Sequence, residues 1–343
     1  MTERIPILVN DLPDGARADE ADVLVQAQAV EGALTTLGYE TGIVEFATRP
    51  EVLSRRVGGE GTAAVFNLVE AVNGENRLQH LAPLALQRLG YLYTGNSSEA
   101  LMRTTDKTVA KEVMVQYRVR TPWWMVAGEQ SGPRSVGGSG ERRNMIFKPV
   151  NEDASLGIRE ELIGPYSEDE ALDVLGALEG ETGMQYMAEE YIAGREFNVS
   201  LIEAAHTPCV LPIVEQDFAF LPPQCAHVVG YRAKWVQGSV EYTAIPRKHH
   251  FSLQDRSMLE DVRHLALRCW RIFHLSGYAR VDVRVDAAGT PYVLEVNANP
   301  CLSPDAGFAF AASLAGLSMT DVVRLVVDSA IRSAAPPRRA RAR

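Results

Sequence analysis

Two short stretches near the C-terminus place oxygen donors where a cation could be held. Residues 278–285, YARVDVRV, alternate apolar and charged, so an extended chain puts Arg280, Asp282 and Arg284 on one face. The following VLEVN, residues 293–297, puts Glu295 and Asn297 together on one of its own faces. Joined by Asp286-Ala287-Ala288-Gly289-Thr290, the two read as a β-hairpin whose return strand can bring Glu295 and Asn297 opposite Asp282. Two carboxylates and a side-chain carbonyl make a hard-oxygen donor set, suited to Mg2+ and poorly suited to zinc. The same alternation also describes a solvated strand face on which Arg and Asp pair. The other charged residues decide between the two.

Lys107 follows Thr105-Asp106 on a helix, and Lys148 precedes Pro149 at the end of an apolar strand. Glu189-Glu190-Tyr191-Ile192 ends another strand, and Glu196 follows shortly after Gly194. Singly, such a lysine is surface decoration and such a Glu-Glu pair is a solvated face. No G-x-x-x-x-G-K-S/T occurs, so phosphates would be held by lysine ammonium groups as point charges, with a bridging Mg2+. No Ser-His or Cys-His arrangement for nucleophilic catalysis stands out. The 7 histidines, His249-His250 included, lack metal-ligand spacing and read as surface or loop residues. Cys209, Cys225, Cys269 and Cys301 are scattered without a C-x-x-C and read as free thiols, Cys301 as packing or pocket lining.

The elements that must position these groups follow from periodicity. The chain has 343 residues, 46% hydrophobic and 23% charged, which suits a globular protein of about two to three domains. Its net charge of −10, with four arginines confined to the tail at 334–343, leaves no basic stripe for nucleic acid. The N-terminus lacks a secretory signal pattern and no 18 consecutive apolar residues occur, so a cytoplasmic protein without membrane association is expected. Strands at 5–9, 41–46 and 62–68 alternate with helices at 21–37 and 77–89, giving an open, mostly parallel α/β sheet; 91–95 reads as a further strand. A helix over 99–119 ends before Thr121-Pro122, and a Gly/Ser stretch at 131–140 is a surface loop. Strands at 145–150, 185–191 and 196–203, helices at 168–178 and 252–273, the hairpin, and a helix at 320–333 complete an α+β C-terminal half. Residues 218–246 show little periodicity, as a functional loop does.

In order, these motifs resemble the ATP-grasp ligases, and within them the D-alanine–D-alanine ligase family. The resemblance spans residues 66–333. It is carried by Phe66-Asn67-Leu68 with Gly74-Glu75, Tyr93-Thr94-Gly95, Thr105-Asp106-Lys107, Phe147-Lys148-Pro149 and Ala154-Ser155-Leu156-Gly157-Ile158. It continues through the stretch from Glu189 to Glu196, Tyr231-Arg232-Ala233-Lys234-Trp235, Gly277 to Asp282, and Leu294 to Pro300. It implies an ATP-grasp fold behind an N-terminal open parallel sheet, with domains at 1–96, 97–190 and 191–333 and a disordered basic tail at 334–343. By resemblance, Lys107 and Lys148 bind the ATP phosphates and the loop from Ser155 to Gly157 covers them through backbone N–H groups. Glu189 faces the adenine amino group, the backbone of Glu190 and Ile192 fixes the ring edge, and Glu196 takes the ribose hydroxyls. Lys234 reaches the γ-phosphate. Asp282, Glu295 and Asn297 match ligands of two Mg2+ ions, with Mn2+ an alternative, and Arg280 stabilises charge on the transferring phosphoryl group and the tetrahedral intermediate. A homodimer is also implied.

The departures fall where substrate would sit. The family's N-terminal Gly-Gly-x-Ser is replaced by Asn10-Asp11-Leu12-Pro13-Asp14-Gly15, and only the stretch from Glu20 to Val23 is similar to its ammonium-binding acidic motif. Ala154 stands where a serine is usual, Trp235 replaces a smaller aromatic, and Cys301-Leu302-Ser303-Pro304-Asp305-Ala306-Gly307 replaces the Gly and Ser/Thr residues that bind the second carboxylate. Glu20, Trp235, Ser303 and Gly307 are the candidate substrate contacts. A buried charge with an unmade hydrogen bond costs about 1–3 kcal/mol or more, so this pocket is expected to favour other substrates than two D-alanines. The reading is an ATP-dependent carboxylate–amine ligase acting through an acyl phosphate on small-molecule acids and amino acids. D-alanine–D-alanine ligase itself and a catalytically silent ATP-binding module are the rival readings.

Overall fold

The computed structural model describes residues 2–11, 18–128, 142–152, 155–222, 225–231, 238–239 and 244–333, with the backbone alone at 18–20 and 333. The Gly/Ser stretch at 131–140, Asp153, Ala154, Lys234, Trp235 and the tail at 334–343 lie outside the described residues.

β1 (Arg4–Val9), sequence RIPILV, is buried along almost its whole length, as a strand paired on both edges must be. It lies between β2 (Glu40–Glu45) and β3 (Phe66–Asn67), parallel to both. Helix Ala18–Thr36 covers this sheet through Val23, Val30 and Leu34, and shares its core with Phe308, Val322 and Val326 from two C-terminal helices, Gly307–Leu314 and Met319–Ser333.

Four local expectations are corrected here. The strand expected at 62–68 shortens to β3, and the one at 91–95 reduces to a single bridge between Val65 and Tyr93. The segment at 77–89 starts as a 3-10 turn, Asn76–Leu78, before helix Leu81–Arg88. The helix expected over 99–119 is two, Ser98–Thr105 and Lys107–Gln116. The cause of this break is Asp106: its backbone is extended (φ −79°, ψ 108°) and its carboxylate accepts the N–H groups of Thr108 and Val109. An aspartate that caps the second helix must interrupt the first. Lys107 thereby becomes the opening residue of a helix.

Two further sheets are antiparallel. β4 (Trp124–Val126), β5 (Arg143–Pro149), β6 (Gly164–Tyr166) and β7 (Tyr186–Glu190) pair in the order β4-β7-β5-β6. Helix Glu168–Thr182, opened by a Ser167/Glu170 capping box, packs on this sheet through Ala171, Leu175 and Leu178. The other sheet has the order β11-β10-β8-β12-β13, with β9 (Thr207–Val210) also on β8. Its strands are β8 (Gly194–Ala204), β10 (Val214–Gln216), β11 (Arg247–Lys248), β12 (Tyr278–Asp286) and β13 (Pro291–Asn297). Ala279, Val281, Val283 and Val285 of β12 face helix Arg256–Ile272, so the charged alternate residues face the opposite way. At the start of β8 the backbone approaches β12 so closely that a Cβ on Gly194 would lie 2.0 Å from the Val285 carbonyl oxygen. The fold is therefore α/β at the N-terminus and α+β beyond it. Among the described residues no single helix is long and apolar enough to cross a membrane.

Candidate active site

A cavity of about 600 Å³ opens where the three sheets meet, and the polar faces of β5, β7, β8, β12 and β13 line it. Lys107, Lys148, Glu189, Glu190, Ile192, Glu196, Ser155, Arg280, Asp282, Glu295, Asn297, Ser303 and Gly307 all reach this one space. Gly157 stands beside it in the phosphate loop. Of the remaining candidates, Lys234 and Trp235 are not among the described residues, and Glu20 is placed by its backbone on helix Ala18–Thr36.

At the hairpin, Arg280 pairs with Asn297 and Asp282 with Glu295 across β12 and β13. Arg280 donates from Nε and Nη2 to the two oxygens of Asp282, both at 2.8 Å, and its Nη2 lies 3.7 Å from Glu295 Oε1. The Arg–Asp pairing that the alternation allowed is thus present, inside the cavity rather than on a solvated face. Asn198 of β8 donates to Asp282 Oδ1 at 2.8 Å, and Gln216 of β10 in turn donates to Asn198. Burial pushes the Asp282 carboxyl up to about 6; Arg280 opposes that shift and Glu295 adds to it. The Asn297 carbonyl accepts the Asn299 N–H at 2.8 Å, which fixes the direction of its side chain. The buried Asp282 carboxylate, the adjacent and half-buried Glu295 carboxylate and an oriented amide oxygen form a hard-oxygen set that a divalent cation would neutralise, as one guanidinium partly does now. Among the described residues no cluster of three His, Cys, Asp or Glu side chains has metal-holding geometry, so the amide is needed to complete the set.

The opposite end is built on Glu189. Its carboxylate, almost wholly buried, lies 2.5 Å from Lys148 Nζ on β5 and 2.7 Å from Lys111 Nζ. Burial pushes Glu189 up, but the two ammonium groups outweigh it and hold the carboxyl below its usual range. Lys111 is fully enclosed; it also donates to Thr121 Oγ1 at 2.6 Å and to the Pro122 carbonyl at 3.2 Å, and stands 5.5 Å from the Trp124 ring centre. Loss of water pulls its pKa down to about 8 despite the Glu189 carboxylate. Lys107 turns to the Glu152 carbonyl at 2.5 Å and so stands near the loop that contains Ser155 and Gly157.

The loop itself is shaped by backbone conformation. Ser155 sits at φ +63°, and its hydroxyl donates to the Val229 carbonyl at 2.7 Å. Gly157 has φ +74°, and a Cβ there would lie 2.6 Å from Pro149 Cγ and 2.7 Å from Tyr186 Oη. Only glycine fits that approach.

At the third end, Asp22 on helix Ala18–Thr36 accepts from Ser303 Oγ at 2.8 Å and from Cys301 Sγ at 3.0 Å. Gln26 bridges the Leu302 N–H at 2.9 Å and Glu70 Oε1 at 2.9 Å. Ser303 therefore spends its hydroxyl on Asp22, while Gly307 opens helix Gly307–Leu314 at the cavity wall. Burial, with Glu70 and Asp22 alongside, raises the Cys301 thiol well above its usual value, which disfavours the thiolate.

Four of these residues carried no role in the sequence reading. Lys111 was accessible in principle, lying one helical turn beyond Lys107 on the same face. Arg284 was on the charged face of β12 from the start. Asp22 lies inside the acidic stretch from Glu20 to Val23, although Glu20 is the residue singled out there, and Asn198 gives no signal because its partners are far away in sequence.

The architecture, a cavity between two antiparallel sheets with lysines on one side and a carboxylate pair on the other, is the ATP-grasp fold. The protein-family model for the D-ala D-ala ligase C-terminus matches residues 144–328. A D-alanine–D-alanine ligase of Synechococcus sp. (strain JA-3-3Ab) is 29% identical over 95% of this chain and 94% of its own length. The uncharacterized protein y4sG of Sinorhizobium fredii is 31% identical over 89% of this chain and 87% of its own. Among solved structures, D-alanine–D-alanine ligase from Bacillus anthracis complexed with ATP superposes with a TM-score of 0.72 at 19% identity, covering 97% of this chain and 98% of that one. D-alanyl-alanine synthetase A from Vibrio cholerae gives 0.72 at 17%, covering 97% and 99%. This chain belongs to the D-alanine–D-alanine ligase family and is an ATP-grasp ligase that forms a carbon–nitrogen bond.

Proposed function

We propose that this ligase uses ATP to phosphorylate a small carboxylic acid and then lets an amine, borne by an amino acid, displace phosphate from the acyl phosphate. The observation that carries this reading is the cross-strand pair Asp282 and Glu295, set in one cavity with Lys107 and Lys148. A carboxylate is a poor acyl donor because oxide cannot leave; phosphorylation supplies a leaving group and consumes ATP to ADP and phosphate. Asp282, Glu295 and Asn297 would hold Mg2+, which when bound spreads the charge of the transferring phosphoryl group. Lys107, Lys148 and Lys234 supply fixed positive charge to the phosphates, and Glu189, Glu190, Ile192 and Glu196 receive the nucleoside. Arg280, which pairs with Asp282 and lies beside Glu295, is the donor for charge that develops on the acyl oxygen. The phosphate loop, tied down through Ser155, excludes water from the intermediate.

Two D-alanines are the second reading, favoured by relatives of that name that align over nearly the whole chain. Against it stands the substrate end, where Asp22, Glu70, Cys301 and Ser303 form their own hydrogen-bonded cluster. ADP release measured over a matrix of amino acids and small acids, D-alanine included, separates the readings. A signal requiring one particular acid and one particular amine supports the ligase proposal. Full activity with D-alanine alone establishes the second reading, and no pair-dependent release contradicts both.

A further inference from the structure

Arg284 is a heavily engaged cation in the cavity, and the proposed chemistry leaves it without a task. Its side chain is 3% exposed. Nε and Nη2 both donate to a single oxygen of Glu196, Oε2, each at 3.0 Å. Nη1 donates to the Ile192 carbonyl at 2.9 Å, and Nη2 also meets the His227 carbonyl. The guanidinium carbon also lies 4.9 Å from the centre of the Tyr191 ring and 5.5 Å from that of Phe218. Tyr191 Oη reaches the same His227 carbonyl at 3.2 Å, and the His227 ring stacks on Phe218 at 5.5 Å and 11°. Two residues further on, Val229 accepts the Ser155 hydroxyl of the phosphate loop.

One side chain thus joins the backbone at the base edge, the carboxylate at the sugar position and the segment that closes on the phosphate loop. A largely buried carboxylate without a partner would take up a proton or turn away to water. With both guanidinium donors on Oε2, that oxygen of Glu196 is held against Arg284. Among the described residues no other hydrogen bond reaches its Oε1. An acceptor oxygen held in one direction is what a vicinal diol needs, and the Arg284 guanidinium places a positive charge beside Glu196 where a polyanion would enter.

We propose that Arg284 is a positioning residue that sets sugar selectivity: it aims Glu196 Oε1 at the ribose hydroxyls and couples that contact to seating of residues 225–231 over the triphosphate. The inference rests on the reading of this cavity as the ATP site. Equilibrium binding of ATP and of 2′-deoxyATP, with Mg2+ and without acid or amine, tests it by titration calorimetry on the full chain. The wild-type protein is expected to prefer ATP by about tenfold or more, the worth of a hydrogen bond to a charged group. Arg284→Met should bind ATP more weakly and reduce that preference to within about twofold; Arg284→Lys, keeping one donor, should retain part of it. Glu196→Gln should lose the preference as well, and the double variant should lose little more, because the two residues act as one unit. Unfolding of Arg284→Met followed by circular dichroism checks that the variant is native, and Arg284→Lys carries the test if it is not. A wild-type ratio preserved in both Arg284 variants, with the ratio lost in Glu196→Gln, overturns the role of Arg284 and leaves the nucleotide site standing. A wild-type protein that binds neither nucleotide fails the site reading itself.

Discussion

Asp282 and Glu295 face each other directly across β12 and β13, and one step further the register slips, so that Val283 pairs with Val293 and Leu294 is the extra residue. Strict alternation would send Leu294 to the far side of the sheet from Glu295, yet both line the cavity. The bulge re-aims one residue at the point where the carboxylates converge. Apolar Leu294 therefore lines the same cavity as the carboxylate pair.

Asp282→Asn and Glu295→Gln each remove one negative charge from this pair without changing its shape. ADP release should fall by at least about 10²–10³-fold in each, the scale of losing one preorganised charge-stabilising group. Nucleotide binding measured without divalent ions should change by less than about tenfold. Turnover within a few-fold of wild type in either variant would remove the cation assignment.

Lys111→Met leaves Glu189 with Lys148 alone and strips a fully enclosed ion pair of one partner. Chemical denaturation should show a loss of about 3–5 kcal/mol. The pH dependence has a definite sign. Between about pH 8 and the ordinary lysine value of 10.5, the unfolded chain carries a proton at this amine that the folded protein has released. The cost of burying this charge is fully present below pH 8 and is relieved as pH rises. The stability difference between wild type and Lys111→Met should therefore grow from pH 8 to 10.5; a flat or falling difference would contradict a depressed Lys111.

Gly157→Ala forces a side chain into a left-handed residue already in contact with Pro149 and Tyr186. Its cost is expected to exceed about 1 kcal/mol, and KM for ATP should rise while KM for the acid and amine stays within about twofold. Ser155→Ala removes one hydrogen bond and should raise the same KM by only a few-fold.

Asp22→Asn changes the charge of the cluster that holds Ser303 and Cys301. KM for the amine or acid substrate should rise about tenfold with nucleotide affinity unchanged, as an equilibrium titration against a substrate-saturation series would show. A change confined to ATP would place Asp22 in the wrong subsite.

Much of this was readable before folding. The alternation on β12 and β13 gave the shared face of Arg280, Asp282, Glu295 and Asn297, because period two is a property of any strand. Strands and helices with strong periodicity, such as β1, β12 and Arg256–Ile272, could be read within a few residues. Short strands such as β4, β6 and β11 could not: two or three residues hold no period, and the sheet partner alone makes them strands. The break at Asp106 could have been foreseen as an aspartate followed by a helix start, but a continuous apolar pattern on both sides concealed it. The bulge at Leu294 and the Asp22–Ser303 contact depend on long-range packing and leave no local trace. Arg284 was visible as a charged residue on the right face; its Glu196, Ile192 and His227 partners come from three other segments.

The most direct measurement follows an oxygen atom. If the acid is activated by phosphorylation, a substrate whose carboxylate is labelled with oxygen-18 must hand one labelled oxygen to the phosphate released when the amine displaces it. Mass spectrometry of that phosphate should show one labelled oxygen per turnover for the acid and amine pair that supports ADP release. Unlabelled phosphate from a pair that does form the carbon–nitrogen bond would contradict the acyl-phosphate route.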